Sequence, residues 1–218
     1  MIMRSTIIIG VTLVLGSAPL TGQAWDTPMF FPPNPPEDLG LYATKPEDSD
    51  WGLKGIWRQH GNPNLGVQAG LASIGQDNTA FLVGAEVFGP LGTLGTGPLT
   101  MTWVLGAGAT FDDDATWLRV PVGLSLGAQL GSGGMRLIPY LLPRAALDVF
   151  AVDNAGSDTD VNVATDVGVD VHLTESFWVR AAASLWLVEG DVDLANAFGI
   201  GAAIRFGREV EVRGARAR

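Results

Sequence analysis

The residues of this chain with the most chemical potential are His172 and the acids and hydroxyls near it. Asp166 and Asp170 share one strand face with His172, and Ser176 and Ser184 follow. A histidine, a serine and a carboxylate could act as base, nucleophile and orienting acid in ester hydrolysis. The spacing is not specific to catalysis, and a histidine held in a ladder of ion pairs accounts for the same residues. We therefore predict that the protein is not an enzyme, with hydrolysis through His172 as the alternative.

The other candidates for metal or phosphate chemistry are weaker. His60 lies in a Gly-Asn-Pro turn, where a solvated histidine is expected. Residues 112–114 and the loop with Asp153, Asp158 and Asp160 could hold Ca²⁺ through clustered carboxylates, but neither has the spacing of an EF-hand loop. The chain contains no cysteine, which excludes thiolate metal sites, disulfides and a lipoprotein anchor. We predict no cofactor and no metal.

Charge and the first residues indicate the compartment. The net charge is −10 and only two of the basic residues are lysines, so nucleic acid is excluded as a partner. Arg4 precedes a short apolar run over residues 7–15, and Gly22-Gln23-Ala24 offers a cleavage site after small residues. That run is about half of the ~20 residues that a spanning helix needs. We predict a signal peptide over residues 1–24.

The rest of the chain divides into a leader, a β domain and a tail. Residues 25–38 are too rich in proline for a helix or a paired strand and predict an extended periplasmic leader. Over residues 39–207, short segments of alternating apolar and polar residues are separated by clusters of Gly, Asn, Asp and Pro, which predicts a β domain. Residues 208–218 form a charged tail. The predicted strands lie near 39–44, 51–58, 64–73, 79–89, 98–111, 116–130, 135–150, 160–173, 177–188 and 196–207.

The two faces of these segments differ sharply in character. One face is apolar throughout and no charged residue interrupts it, as in Leu118, Val120, Val122 and Leu124. The opposite face combines glycine with charged residues. These charged residues are predicted to form a network of ion pairs inside a barrel: Glu86, Arg119, Arg136, Arg144, Asp148, Asp166, Asp170, His172, Arg180 and Arg205.

A soluble barrel would bury the apolar face, whereas a membrane barrel turns it toward lipid and fills its lumen with the polar face. Glycine and arginine, with few lysines, suit a crowded enclosed lumen better than a free surface. The pattern therefore predicts an all-β, closed, antiparallel up-and-down transmembrane β-barrel with ten strands, or eight as the alternative. Acidic residues collect in the connections after odd-numbered strands, which we name the odd rim. A barrel that starts and ends in the periplasm would make the odd rim extracellular and the connections after even-numbered strands (the even rim) periplasmic.

A resemblance to known proteins rests on the alternation of apolar and polar residues, on the final segment 198–206 and on the aromatic strand ends Trp51, Phe111, Phe177 and Phe206. The chain resembles the small outer-membrane β-barrel proteins of the opacity-type and related eight- to ten-stranded group. The chain departs from that group because residues 207–218 follow the last aromatic residue. Three prolines within two of the predicted strands, at positions 121, 139 and 143, predict β-bulges.

The resemblance implies a location in the outer membrane, with lipid as the immediate partner. We expect a monomer with a structural or surface-interaction role, in which the acidic external loops could bind a surface ligand. The alternatives are a small pore for solutes, a lipid-modifying enzyme and a soluble periplasmic barrel. Arginine is well suited to pairing inside the lumen because its planar fork binds a carboxylate through two hydrogen bonds.

Overall fold

The wall of the protein is a β-sheet that closes on itself. The computed structural model describes residues 27–46, 50–74, 78–95, 98–112, 115–131, 135–152, 156–188, 191–193 and 197–205. The predicted signal peptide and the charged tail lie outside these residues. The strands are β1 (Asp38–Lys45), β2 (Gly52–Gln59), β3 (Asn64–Ile74), β4 (Asn78–Thr93), β5 (Leu99–Phe111), β6 (Ala115–Ala128), β7 (Arg136–Val152), β8 (Gly156–His172), β9 (Phe177–Val188), β10 (Asp191–Asp193) and β11 (Phe198–Arg205).

Ten of these strands form the ring. Strands β1 to β9 pair antiparallel in chain order, and β11 pairs with both β9 and β1. The short β10 pairs with β9 beyond the end of β11, so it extends the wall without adding a position to the ring. The predicted all-β, closed, antiparallel up-and-down barrel is confirmed, with ten strands and not eight.

Alternation along each strand decides which side chains face the lumen. In β6 the residues with even numbers from Leu118 to Leu124 are exposed outside, and the odd-numbered residues between them are buried. Among the described strand residues that face outward, only Lys45 at the end of β1 is charged. Elsewhere in the described chain we find no helical segment with the length and hydrophobicity of a membrane-spanning helix.

The predicted β-bulges at Pro121, Pro139 and Pro143 are wrong. Pairing of β6 and β7 with their neighbours keeps one register on both sides of each of these prolines. The register shift lies instead in β4, between Pro90 and Gly92, where the glycine has a φ of 107°. A proline lacks the backbone N–H donor, so one hydrogen bond of the sheet is missing at its position. The strand accommodates this loss without inserting the extra residue that a β-bulge would contain.

Glycines on the lumen face provide room for large side chains on neighbouring strands. Gly168 of β8 lies directly opposite Tyr140 of β7, and a Cβ at Gly168 would overlap the buried tyrosine ring. Gly201 of β11 lies opposite Tyr42 of β1 in the same way. Glycine at these positions therefore lets an aromatic ring lie flat against the barrel wall.

We predict that Gly168→Ala lowers the free energy of unfolding by about 1–3 kcal/mol, because the added methyl group must displace a buried ring. The midpoint of urea unfolding in detergent micelles would measure the change. Gly55→Ala is the matched control, because the nearest atom to a Cβ at Gly55 lies at an ordinary 3.7 Å. Equal midpoints for both variants would contradict the packing role of Gly168.

Candidate functional site

The lumen is the charged interior of the barrel. Within the described chain, its buried charged groups are five cations and five carboxylates, together with His172. The cations are Lys54, Arg58, Arg119, Arg144 and Arg180, and the carboxylates are Asp38, Glu86, Asp148, Asp166 and Asp170. Charges this deeply buried require partners, because an unpaired buried ion is strongly destabilising.

Strand register brings most of these charges together. Arg119 and Asp148 are direct cross-strand partners, and the guanidinium donates from Nε and Nη2 to both carboxylate oxygens, at 2.6 and 2.8 Å. Arg144 donates from Nε to Asp166 Oδ1 at 3.2 Å. The site is therefore a set of arginine–carboxylate pairs that follow the wall, as the planar guanidinium favours.

A second pair reaches across a glycine. Arg58 of β2 and Glu86 of β4 both lie opposite Gly66 of β3, which separates them in the sheet. The glutamate lies over Gly66, where a Cβ would come within 2.6 Å of its side chain. Arg58 Nε therefore donates to Glu86 Oε1 at 2.6 Å.

Arg180 donates four hydrogen bonds to described residues. Its Nη2 donates to Asp170 Oδ2 at 2.8 Å and to Asp38 Oδ2 at 3.2 Å. Its Nη1 donates to the Tyr42 hydroxyl at 2.9 Å. Trp178 Nε1 also donates to Asp38, at 3.3 Å. This cluster joins β8 and β9 to β1, where the first and last strands of the chain close the ring.

Residues 27–37, which we name the plug segment, lie inside the barrel. Phe30 and Phe31 have no exposed surface, and the flanking Met29 and Pro32 are also buried. The segment enters beside the even rim, where the backbone N–H of Asn34 donates to Thr102 Oγ1 at 3.0 Å. It reaches Lys54, which lies roughly 13 Å along the wall from the start of β1.

The buried cations of the wall bind the plug segment through its oxygens. Lys54 Nζ donates to Thr27 Oγ1 at 2.6 Å and to the Pro28 carbonyl at 2.9 Å. Arg58 donates to the carbonyls of Phe30 and Met29, both at 3.2 Å. Arg180 donates to the Phe30 carbonyl as well, also at 3.2 Å. Proline-rich backbone suits this role, because it offers carbonyl acceptors and few N–H donors.

Two further contacts fix the backbone of the plug segment. The N–H of Met29 donates to Asp166 Oδ2 at 2.8 Å, and the Ser125 hydroxyl donates to the Phe31 carbonyl at 2.7 Å. Asp166 thereby holds the plug segment and Arg144 at the same time. The plug and the ion pairs are consequently parts of one hydrogen-bonded network.

The aromatic side chains of the plug segment pack against the wall. Phe30 stacks on Tyr42, with 4.3 Å between ring centroids, and its cluster includes Ile56 and Tyr140. Phe31 packs with Phe88 and other apolar residues on the opposite side of the lumen. The structure thus differs from the predicted periplasmic leader, because these side chains find an apolar environment inside the barrel.

Three of the predicted site residues lie near the even rim, where the contacts are weaker. His172 Nε2 lies 3.4 Å from Asp170 Oδ2, and the histidine ring stacks on Trp178. Arg136 is half-buried, with its Nη2 at 3.4 Å from His172 Nδ1. Arg205 is exposed at the end of β11, opposite Asp38 in the sheet. The structure joins His172 and Arg136 to the network and places Arg205 at its edge.

The described residues do not assemble the hydrolytic alternative. Ser184 lies opposite Asp166, six residues and roughly 20 Å along β8 from His172. The Ser184 hydroxyl donates to Asp166 Oδ1 at 2.8 Å. Ser176 lies in an exposed turn, where its N–H donates to Thr174 Oγ1. Ser184 is therefore too far from His172 to be activated by it, and Ser176 lies outside the buried network.

His60 and the acidic loops complete the predicted candidates. His60 is exposed as predicted, but its Nε2 lies 2.8 Å from the Pro35 carbonyl, so it also contacts the plug segment. Among the residues that the structure describes, no three histidine or carboxylate side chains group as metal ligands. Asp113, Asp114 and Asp153 lie outside the described residues.

The predicted network missed three charged residues. Alternation places Lys54 and Arg58 on the polar face of β2, but the predicted network does not include them. Asp38 is the first residue of β1 and was assigned to the leader, where no periodic pattern marks it. The plug segment carries no sequence signal that distinguishes it from an extended linker.

Together, the fold and the lumen define a ten-stranded β-barrel closed by its own N-terminal segment. No family model and no curated protein matches the chain. The solved structures similar to it include the KdgM porin in complex with disordered oligogalacturonate, at 7% identity and a TM-score of 0.40 over 78% of this chain and 99% of that one. They also include Ail, the attachment invasion locus protein of Yersinia pestis, at 11% identity and a TM-score of 0.30 over 78% of this chain and 97% of that one. They agree in class with the resemblance seen in the sequence.

Proposed function

We propose that the protein is an outer-membrane β-barrel with a structural or surface-interaction role, in which the plug segment keeps the lumen closed. The observation that supports this most strongly is the inverted arrangement of its side chains. Leu41, Val83, Val122 and Leu141 are examples of a belt of outward aliphatic residues that are each between about two-fifths and three-fifths exposed. Such a belt is stable against hydrocarbon and aggregates in water.

The sidedness follows from the termini of the barrel. The first and last strands of the ring, β1 and β11, pair with each other. The start of β1 at Asp38 lies opposite the end of β11 at Arg205, and both lie at the even rim. The plug segment also enters from that rim. A chain delivered from the periplasm keeps these ends on the periplasmic side, so the odd rim with its acidic connections faces outward as the interaction surface.

The closed ring also supports a monomer, because each of the ten ring strands that the structure describes has a hydrogen-bonded neighbour on both sides. The buried plug segment favours this role over an open pore. The separation of His172 from Ser184 favours it over a lipid-modifying enzyme. Lipid is then the immediate partner, and a surface ligand of the acidic connections would be the functional one.

Cell fractionation followed by gel electrophoresis with and without boiling tests this proposal. We expect the protein in the outer-membrane fraction, extracted only by detergent, with an electrophoretic mobility that shifts on heating because the folded barrel resists SDS. Release by osmotic shock as a monodisperse protein in plain buffer would contradict a membrane location and favour the soluble barrel.

A further inference from the structure

We infer that the plug segment is a removable gate and that its departure converts the barrel into a pore with a preference for small anions. This inference rests on the proposed membrane location and goes beyond the closed, structural role. Side-chain contacts hold the plug segment, whereas backbone hydrogen bonds between strands hold the wall.

The wall of the barrel is complete without the plug segment. Each of the ten ring strands has two hydrogen-bonded neighbours in the ring, and residues 27–37 form no strand pairing with any of them. The plug segment is held by side chains of the wall, at Lys54, Arg58, Ser125 and Arg180 among others. Its withdrawal therefore breaks side-chain contacts and leaves the ladder of the wall intact.

The backbone of the plug segment favours release. Phe30 has a φ of 50°, in the left-handed region that bulky residues rarely adopt. Two guanidinium groups bind its carbonyl oxygen, and its ring stacks on Tyr42, so contacts with the wall hold it in this conformation. Strain of this kind is found at clamps and switch regions, and it disappears when the segment leaves the lumen.

The charges that contact the plug segment indicate the ion preference of the emptied lumen. Three cations, Lys54, Arg58 and Arg180, donate to its oxygens, whereas one carboxylate, Asp166, accepts from its N–H. Arg58, Arg180 and Asp166 also have partners of opposite charge within the wall. Lys54 makes its hydrogen bonds to the plug segment. After the plug segment has left, the positive charge of its ammonium group would therefore be less neutralised by the wall than the charges of the two arginines. Lys54 would then set the preference, because a cationic side chain that lines a narrow pore attracts anions.

Planar-bilayer recordings of the purified mature protein and of a variant without residues 27–35 test the gate. If the plugged state dominates, the open fraction of the wild type stays below about 10%. The deletion variant should then show at least about a tenfold higher open probability. The heat-dependent mobility shift and flotation with liposomes establish that both proteins are folded and inserted.

A cross-link provides a test in the full-length chain. Asn34 and Thr102 are in direct contact, with the threonine hydroxyl 3.3 Å from Asn34 Oδ1, and the chain has no native cysteine. The double variant Asn34→Cys/Thr102→Cys should be silent when oxidised and regain wild-type openings on reduction. Openings of equal frequency in both redox states would overturn the gate.

The reversal potential in a KCl gradient tests the ion preference. The deletion variant should favour chloride, and Lys54→Gln in the same background should move the reversal potential toward zero. Lys45→Gln removes the same charge at the end of β1 and should leave the reversal potential unchanged. A cation preference, or equal shifts from both substitutions, would overturn the assigned role of Lys54.

Failure of the gate and failure of the membrane location give different results. A deletion variant that inserts into liposomes, shows the heat-dependent shift and stays silent overturns the gate alone. A wild-type protein that conducts as steadily as the deletion variant also overturns it. A protein that does not insert into liposomes overturns the membrane location on which the gate rests.

Discussion

Replacing Arg180 with methionine should lower the free energy of unfolding by about 3–5 kcal/mol, the range expected when one partner of a buried ion pair is removed. The substitution leaves Asp38 and Asp170 buried beside a side chain that cannot donate a hydrogen bond. It also removes donors to the Tyr42 hydroxyl and the Phe30 carbonyl. Methionine fills a similar space, so lost pairing is the main cause.

Urea unfolding in detergent micelles, followed by tryptophan fluorescence, measures this effect, because Trp178 is hydrogen-bonded to the same cluster. Arg136→Met is the matched control. Arg136 is half-buried at the even rim and touches His172 at 3.4 Å, so its loss should cost less than about 1 kcal/mol. An unchanged midpoint for Arg180→Met would show that the cluster does not stabilise the closed ring.

Placing an arginine at Val122 should destabilise the barrel in a bilayer by about 2–4 kcal/mol, the cost of a cation on the lipid face near the midplane. Val122 lies in the middle of β6, is 53% exposed, and faces outward between Leu105 and Ala145. In a soluble barrel the same exposed arginine would be solvated by water and tolerated. The substitution therefore distinguishes hydrocarbon from water as the surroundings of the belt.

Reversible unfolding in lipid vesicles measures this second effect. Gln59→Arg is the matched control, because Gln59 is exposed at the even-rim end of β2. Near the membrane interface an arginine should cost only about 0–1 kcal/mol. If Val122→Arg and Gln59→Arg unfold at the same urea concentration, the outward belt does not contact hydrocarbon.

Alternation was sufficient to predict the wall of the barrel. The segment predicted at 177–188 coincides with β9, and the one at 64–73 falls one residue short of β3. Alternation with a period of two residues indicates a β-strand and also places successive side chains on opposite faces of the sheet. One local pattern therefore predicts both the strand and the face on which each residue lies. The prediction of β-bulges at the prolines was wrong because a missing N–H donor does not by itself shift the register between two strands. Whether the register shifts depends on the pairing of the whole strand.

The ion pairs within the lumen could be predicted from the sequence only in part. Alternation placed Arg119, Asp148, Asp170 and Arg180 on one face, but it could not state which arginine meets which acid. The pairs depend on the offset between neighbouring strands, which places Arg119 opposite Asp148 and Asp170 opposite Arg180. That offset is a property of the assembled sheet.

Local residue order was enough to predict the strands, their two faces and the segregation of charge to one face, because each of these depends on residues that are close in the chain. Only the tertiary structure placed residues 27–37 within the lumen. A proline-rich stretch has the same local conformation in a linker as in a plug. Its location depends on hydrogen bonds to residues as distant in sequence as Asp166 and Arg180, which come together around it only when the barrel closes.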